Sequence, residues 1–465
     1  MFHDPEPVVG LFPGQGAYRP GQLTRAWHDR DASVHAVFSA VDLAAAELLG
    51  KQVTPVVFAE NPPGPEELLA RDPDLFQLAV FGLSVAAHRL LVERGVRFSA
   101  LMGHSMGELT ALVCAGAYTL TDGARLLCHR VAALRDHDSS GGLMLALSCG
   151  AERAHRILGL MDHQGLAVAV RNTSARTVVS GPPAGIRTVA TVAGAVGLTA
   201  VELRSPHPFH NPLLTDARHA FARAARAYEV YPLRTAVYSP VLQRWYRDGD
   251  DLADLLALHL VTPLAFDAAV ERLYGQGVRV FAELGAGRVL GRLVGEMHPD
   301  CVVLQPLDAR DEYRAVSDAA TYLTGERFDE VRVVRPSPAP EALPLPPTRP
   351  EVEPPPERPR ALEPSGTPAD GPPPGDREAV FGRIRSLYAE ALEYPEEVLT
   401  EDAELEAELG IDSVKQVELL DRVRRLFDLD ERGEGERGPR FGQNDTLGGV
   451  VDYVHERVSS GGVRR

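Results

Sequence analysis

The chain has 465 residues, 44% of them apolar and 24% charged. That is long enough for two or three domains of roughly 100–200 residues each, with the apolar content of an ordinary globular protein. A net charge of −17 argues against a general nucleic-acid binder. Four cysteines, Cys114, Cys128, Cys149 and Cys301, form no CxxC pair and read as reduced core thiols, not as a disulfide frame or a zinc site. No stretch approaches the roughly 20 apolar residues that a membrane span needs. The opening MFHDPEPVVGLFPG lacks the basic and apolar regions of a signal peptide, so a cytoplasmic protein with no membrane, nucleic-acid or metal partner is expected.

In chain order, PVVGLFPGQG predicts a buried strand over Val8–Phe12 that runs into a glycine-punctuated loop. FSALMGHSMGELTALVCAGA then predicts a short strand, a tight turn at Ser105 and a helix. Between Met144 and Arg204 the segments MLALSC, GAERAHRILGLM, LAVAVRN, TVVSG, PAGIRTVATVAGAV and TAVELR read β-α-β-β-α-β, the ferredoxin-like order, as a small insert at about 140–205. VRVFAELGAGRVLGRLV repeats the strand, glycine turn and helix. The class is α/β, with loops at strand C-termini where open sheets carry their sites.

From Pro336 to Asp376, sixteen of forty-one residues are proline, which excludes a helix or a sheet interior and predicts an extended spacer. It separates a part spanning about 1–330 from one spanning 377–465. The latter predicts helices: 378–393 with Val380, Ile384, Leu387 and Ala391 on one face, and 413–427 with Val414, Val417, Leu420, Val423 and Leu426. A last helix is predicted over about 447–458, and together they predict a small all-α bundle. It is acidic: from Glu393 to Asp412, nine of twenty residues are acidic and none is basic.

GHSMG fits the G-x-S-x-G elbow, whose flanking glycines permit a sharp strand-to-helix turn presenting the serine hydroxyl. Ser105 is thus a candidate nucleophile, and the Met106 N–H at the helix start a candidate oxyanion donor. The bland alternative is a small-residue turn that happens to contain serine. GHSMGELTALVCAGA together with FPGQG resembles malonyl-CoA:acyl-carrier-protein transacylases and the acyltransferase domains of polyketide and fatty acid synthases, over about residues 8–310. The resemblance implies a hydrolase-like acyltransferase core with the ferredoxin-like insert. It makes Ser105 the acyl-bearing nucleophile and Arg130, twenty-five residues later in ARLLCHRVAAL, the group that grips a substrate carboxylate. A planar guanidinium suits that task through two parallel hydrogen bonds.

The same resemblance makes His210, in SPHPFHNPLL, the general base, and gives Gln15 of FPGQG the second oxyanion-hole N–H. It gives His259, in HLVTP, the backbone carbonyl that orients the base. His207 reads better as a structural histidine. Two departures stand out: Tyr18 where the family carries glutamine, and HPFH where malonyl-selective domains carry HAFH. Phe209 keeps the bulk that crowds an α-methyl group, which favours malonyl, while Pro208 weakens that inference.

LGIDSVKQVELL resembles the attachment site of acyl carrier proteins, which makes Ser413 the bearer of 4′-phosphopantetheine. Asp412 and Ser413 are also good helix N-caps, and both roles are compatible. The resemblance therefore implies an acyltransferase that takes an acyl group, malonyl or a related dicarboxylic one, from coenzyme A to a carrier thiol without a metal. Implied partners are an acyl-CoA, a phosphopantetheinyl transferase and a separate ketosynthase or polyketide synthase. The rival from another class is a serine esterase or thioesterase, which would want an acidic triad member and gain nothing from Arg130.

Overall fold

The computed structural model describes residues 7–161, 163–308, 311–325, 377–392, 399–401 and 446–460, with the isolated positions 405, 419, 422–423 and 426–427. The chain divides into two compact units, Met1–Pro340 and Glu341–Arg465. Among the described residues, eleven strands lie in the first: β1 (Val8–Phe12), β2 (Ala100–Gly103), β3 (Leu143–Leu147), β4 (Ala167–Thr173), β5 (Arg176–Gly181), β6 (Ala200–Leu203), β7 (Ala236–Ser239), β8 (Arg244–Trp245), β9 (Leu264–Ala265), β10 (Val280–Glu283) and β11 (Val302–Leu304).

The larger sheet has the order β11-β10-β1-β2-β7-β8 and is parallel except for the β7–β8 pair. Its centre, β1, is the run VVGLF and is buried at every position, as a strand must be when helices cover both faces of a parallel sheet. Gly10 in that run meets Leu101 Cδ2 at 2.8 Å from where a Cβ would sit, so a larger residue there would have to push that side chain aside.

The smaller sheet has the order β6-β3-β5-β4-β9. β3 through β6, with helices Ala151–Gly159 and Pro183–Ala195 between them, form the antiparallel β-α-β-β-α-β unit. Its own core gathers Leu145, Leu147, Ile157, Val179, Ile186 and Val189. The sequence did not show the fifth strand. β9 comes from beyond the insert and pairs with β4 in parallel, Val170 opposite Leu264 and Arg171 opposite Ala265. Two residues carry no periodicity to read, so only the tertiary pairing reveals it.

Two helices correct the expectation that no stretch is apolar enough for a membrane. Ala32–Leu49 and Pro73–Glu93 both qualify by length and composition. In Pro73–Glu93 the apolar window is 89% buried inside the protein, so its hydropathy is that of a core helix hydrophobic nearly all round. Asp72 caps it by accepting from Leu75 N, with Pro73 at its first position, where a missing N–H costs nothing.

In the second unit, helices Arg377–Leu392 and Leu447–Ser460 share a core with Leu399, Leu405, Leu419 and Val423. The predicted face is corrected at two points: Tyr388 is fully packed where Leu387 only borders the core, and Leu426 is 44% exposed while Leu419 is buried. Among the described residues of that segment, the i, i+4 pair Leu419 and Val423 faces inward, and of the predicted run Val423 is buried while Leu426 is not. Ser413, Asp412, Val414, Val417, Leu420 and the segment 336–376 lie outside the described residues.

The site depends on one backbone crossing. A Cβ on Gly107 would lie 2.1 Å from the Phe12 carbonyl oxygen and 2.7 Å from that of Pro13. Main chain cannot yield as a flexible side chain does, so Gly107→Ala is expected to cost more than about 3 kcal/mol, among the larger effects of a single substitution. A thermal midpoint equal to the wild type's would count against this account of the crossing.

Candidate active site

Ser105 stands between β2 and helix Gly107–Cys114 with φ 55°. A left-handed serine costs roughly 1–3 kcal/mol and persists only where its surroundings fix it. They do so here through two glycines. A Cβ on Gly103 would sit 2.1 Å from Glu108 N and from the Gly107 carbonyl carbon, so the turn closes only without side chains on either flank. Gly14 of the FPGQG loop also lies close, its virtual Cβ 2.7 Å from the His104 carbonyl oxygen and 3.4 Å from Ser105 Cβ. The loop after β1 and the elbow after β2 are therefore pressed together at the C-terminal ends of adjacent strands.

That contact places Gln15 and Met106 beside Ser105. Neither backbone N–H donates to another described residue. The Gln15 side-chain amide is shielded and also without a partner among the described residues. Tyr18, the departure from the family pattern, is buried with its ring edge-on to Phe76 at 5.7 Å, so it serves the core.

His210 reaches the serine from the loop after the small sheet. Its Nε2 lies 2.9 Å from Ser105 Oγ and its Nδ1 2.9 Å from the Thr262 carbonyl oxygen. A carbonyl only accepts, so Nδ1 carries the proton and Nε2 offers its lone pair to the serine hydroxyl. This corrects the assignment of the orienting carbonyl to His259: the carbonyl belongs to Thr262. His259 still sits in the last turn of helix Leu252–Leu258, with αR geometry at φ −57°, whereas Thr262 precedes Pro263, a position biased away from αR. The carbonyl released from the helical turn is therefore the later one.

Like the serine, His210 has a positive φ, 59°. Asn211, missed in the sequence, holds it there. Asn211 is fully buried; its Nδ2 donates to Gly165 O at 2.8 Å and Ser180 O at 3.1 Å, its Oδ1 accepts from Leu213 N at 2.9 Å, and its own N donates to Leu260 O at 3.2 Å. The side chain thus ties the histidine loop to β5 and to Gly165, and the main chain of the same residue ties it to the turn before Thr262. Burial pulls the His210 pKa down to about 3, partly opposed by the Thr262 bond, and keeps the ring neutral.

Arg130 projects from helix Leu120–His137, begun by Thr119 accepting from Asp122 N. It is only 5% exposed, and burial brings its pKa down to about 10. Its Nη1 donates to Gln77 Oε1, and its guanidinium lies over the Phe209 ring at 5.1 Å. Among the described residues no carboxylate pairs with it, although buried cations are ordinarily paired. His207 instead bonds Asp138, Nδ1 to Oδ2 at 2.6 Å, in keeping with a structural role. His104 Nε2 meets Asn172 Oδ1 at 3.0 Å, linking the elbow to β4.

Sequence reasoning missed Gln77, Asn172, Asn211 and Thr262, each brought to the site by tertiary packing. Only Thr262 carried a local signal, its place before Pro263 beyond a helical pattern. Among the described residues no group of three His, Cys, Asp or Glu side chains could hold a metal ion.

The acyl transferase domain family matches residues 9–297, and the phosphopantetheine attachment site family matches residues 382–430. Polyketide biosynthesis protein ThaF of Burkholderia thailandensis is 30% identical over 315 residues, 67% of this chain and 26% of that protein. Spectinabilin polyketide synthase system protein NorB of Streptomyces orinoci is 29% identical over 64% of this chain and 13% of its own length, so the chain spans only a small part of these relatives. Two solved structures share the fold. The acyltransferase domain from the second module of the salinomycin polyketide synthase has a TM-score of 0.60 at 27% identity, covering 69% of this chain and 74% of that one. Malonyl-CoA:acyl carrier protein transacylase from Xanthomonas oryzae has a TM-score of 0.61 at 25% identity, covering 68% and 98%. An elbow serine bonded to a histidine, on an α/β core with a ferredoxin-like insert, thus comes with a sequence match over most of that core, and the chain belongs to the acyl transferase domain family.

Proposed function

We propose that this chain transfers a malonyl group, or a related dicarboxylic acyl group, from coenzyme A through an ester on Ser105 to a carrier-borne thiol in polyketide or fatty acid biosynthesis. The observation that carries the reading is Arg130, a buried guanidinium with no carboxylate partner among the described residues. Such a group is costly to bury alone, and an acyl group ending in a carboxylate would offset that cost through a bidentate pair. Phe209 beneath the guanidinium leaves little room beside that carboxylate for an α-methyl branch.

In this scheme His210 Nε2 takes the proton as Ser105 Oγ attacks the thioester carbonyl. The oxyanion forms toward the N–H groups of Gln15 and Met106. The C–S bond breaks, and His210 returns the proton to the departing coenzyme A thiolate. The second half reverses these steps: His210 deprotonates an acceptor thiol, which attacks the Ser105 ester. The rival hydrolase would be expected to set a carboxylate against His210 Nδ1; the group there is the Thr262 carbonyl.

The proposed division is an acyltransferase over 1–330 with its insert at about 140–205, a spacer over 336–376 and a carrier over 377–465. Ser413 would bear 4′-phosphopantetheine, which supplies a terminal thiol as acyl acceptor. The proposed partners are an acyl-CoA, a phosphopantetheinyl transferase and a ketosynthase on a separate protein, in the cytoplasm.

Three outcomes test this reading. Arg130→Ala should lower malonyl transfer about 30- to several thousand-fold, the usual 2–5 kcal/mol for truncating one partner of a buried pair, and leave acetyl transfer nearly unchanged. Equal losses in kcat/KM for both would make Arg130 structural.

A base with a pKa of about 3 is protonated only in strong acid. The rate of Ser105 acylation by malonyl-CoA should therefore show no acid limb between pH 5 and 8. A limb near 6.5, where an unperturbed histidine titrates, would contradict the neutral base.

Ser413→Ala should accept no arm from a phosphopantetheinyl transferase and coenzyme A, read by intact mass. An arm on that variant would place the attachment elsewhere.

A further inference from the structure

A second set of buried polar side chains touches neither Ser105 nor His210, yet joins the elbow that carries Ser105 to the turn that carries the Thr262 carbonyl. Glu108, on the elbow helix three residues after Ser105, is 0% exposed and accepts from the Tyr246 hydroxyl at 2.8 Å. That hydroxyl lies 3.1 Å from His259 Nε2, which is itself 3.4 Å from Glu108 Oε1. A phenol has one proton, here given to the carboxyl oxygen, so the tyrosine oxygen accepts from His259 Nε2–H. The chain therefore runs from His259 through Tyr246 to Glu108. Tyr246 and His259 are 6% and 5% exposed, so water does not compete for these bonds.

Both ends are fixed to main chain that matters. Glu108 N donates to Ser105 O at 3.0 Å, which puts one end in the elbow. His259 belongs to the turn in which Leu260 N bonds Ala257 O at 3.2 Å and Thr262 N bonds Leu258 O at 3.1 Å. That turn delivers the Thr262 carbonyl to His210 Nδ1. In the middle, Tyr246 N donates to Val237 O at 2.9 Å, tying the tyrosine to β7, the strand beside β2.

We infer that Glu108, Tyr246 and His259 are positioning residues, whose hydrogen-bond chain keeps the Thr262 carbonyl, and through it the His210 ring, in register with Ser105. This rests on His210 acting as the base. A structural core contact would be satisfied by apolar packing of the same volume. This chain instead leaves Glu108 Oε2 buried without a partner among the described residues, a cost that a contact serving stability alone would not carry. Displacing a catalytic group by about 1 Å can cost on the order of 100-fold in rate, so loss of the chain should be felt in the chemical step.

The test is single-turnover acylation of Ser105 by malonyl-CoA in the full chain, followed by intact mass. Tyr246→Phe deletes one oxygen and keeps the ring. It should slow the maximal rate about 10- to 100-fold and leave the half-saturating malonyl-CoA concentration unchanged. In a His210→Ala background the same substitution should cause no further loss, because residues that act through one group are non-additive. His259→Gln, which keeps an N–H donor, should retain most of the rate, and His259→Leu should lose it. That pair decides the matter should Tyr246→Phe fold poorly. An undiminished rate in Tyr246→Phe, or an equal loss with and without His210, would overturn the inference. A His210→Ala variant as fast as wild type would remove the base assignment and this proposal with it, and is distinguished because Tyr246→Phe plays no part in it.

Discussion

The site rests on how closely two stretches of main chain can approach each other. The backbone at Gly107 lies against the carbonyls of Phe12 and Pro13, and that at Gly103 against Gly107 and Glu108. No residue with a Cβ fits at either place. Because the chain turns that tightly, Ser105 is forced to a positive φ, and the loop carrying Gln15 is drawn against it. The serine hydroxyl and two unengaged N–H groups thus follow from steric exclusion at the ends of adjacent parallel strands. The opposing loop carries matching strain at His210, held by Asn211. Two left-handed residues facing each other cost roughly 2–6 kcal/mol together, and the multiple bonds of one buried asparagine are what make the second tolerable.

Burial then acts in opposite senses on the two ionisable groups. For His210 it disfavours the charged form: at about 3 the ring is neutral near pH 7, and its Nε2 lone pair is available for the Ser105 proton in the proposed transfer. For Arg130 the guanidinium keeps its charge even at about 10, so burial is a cost that Gln77 and the Phe209 ring offset only in part. A carboxylate arriving on a substrate would settle the balance. The same desolvation that keeps the histidine neutral leaves the arginine receptive to a carboxylate.

What the sequence revealed and what it hid divide along chain distance. GHSMG disclosed Ser105 because the glycine requirement is local, and HPFH and ARLLCHR disclosed His210 and Arg130 through a resemblance whose motifs are short. The β-α-β-β-α-β insert was legible because each element has its own period of apolar residues. The strand Leu264–Ala265 was not, being two residues long and defined only by its partner Val170 and Arg171. Gln77 and Asn211 are buried polar residues and Asn172 a half-buried one, each held by contacts with segments tens of residues away, and local patterning has no term for that. The misplacement at His259 is of another kind. The expected atom was a backbone carbonyl, which any residue supplies, so identity could not distinguish position 259 from 262.

That last point bears on which positions are free to vary. Of the atoms that face the proposed reaction, the N–H groups of Gln15 and Met106 and the carbonyl of Thr262 belong to the main chain. Ser105, His210 and Arg130 contribute side-chain polar groups, with the Phe209 ring beneath the arginine. Main-chain atoms are indifferent to the residue that carries them, provided its φ and ψ survive, so changes at 15, 106 and 262 are limited by packing and not by chemistry. His259 shows how a position can be released from one constraint and taken up by another. Its carbonyl is not the orienting one, but its ring closes a hydrogen-bond chain through Tyr246 to Glu108. A histidine suits that place because its ring presents an N–H donor to a buried acceptor. The substitution that an apolar residue would make there is the one the geometry forbids.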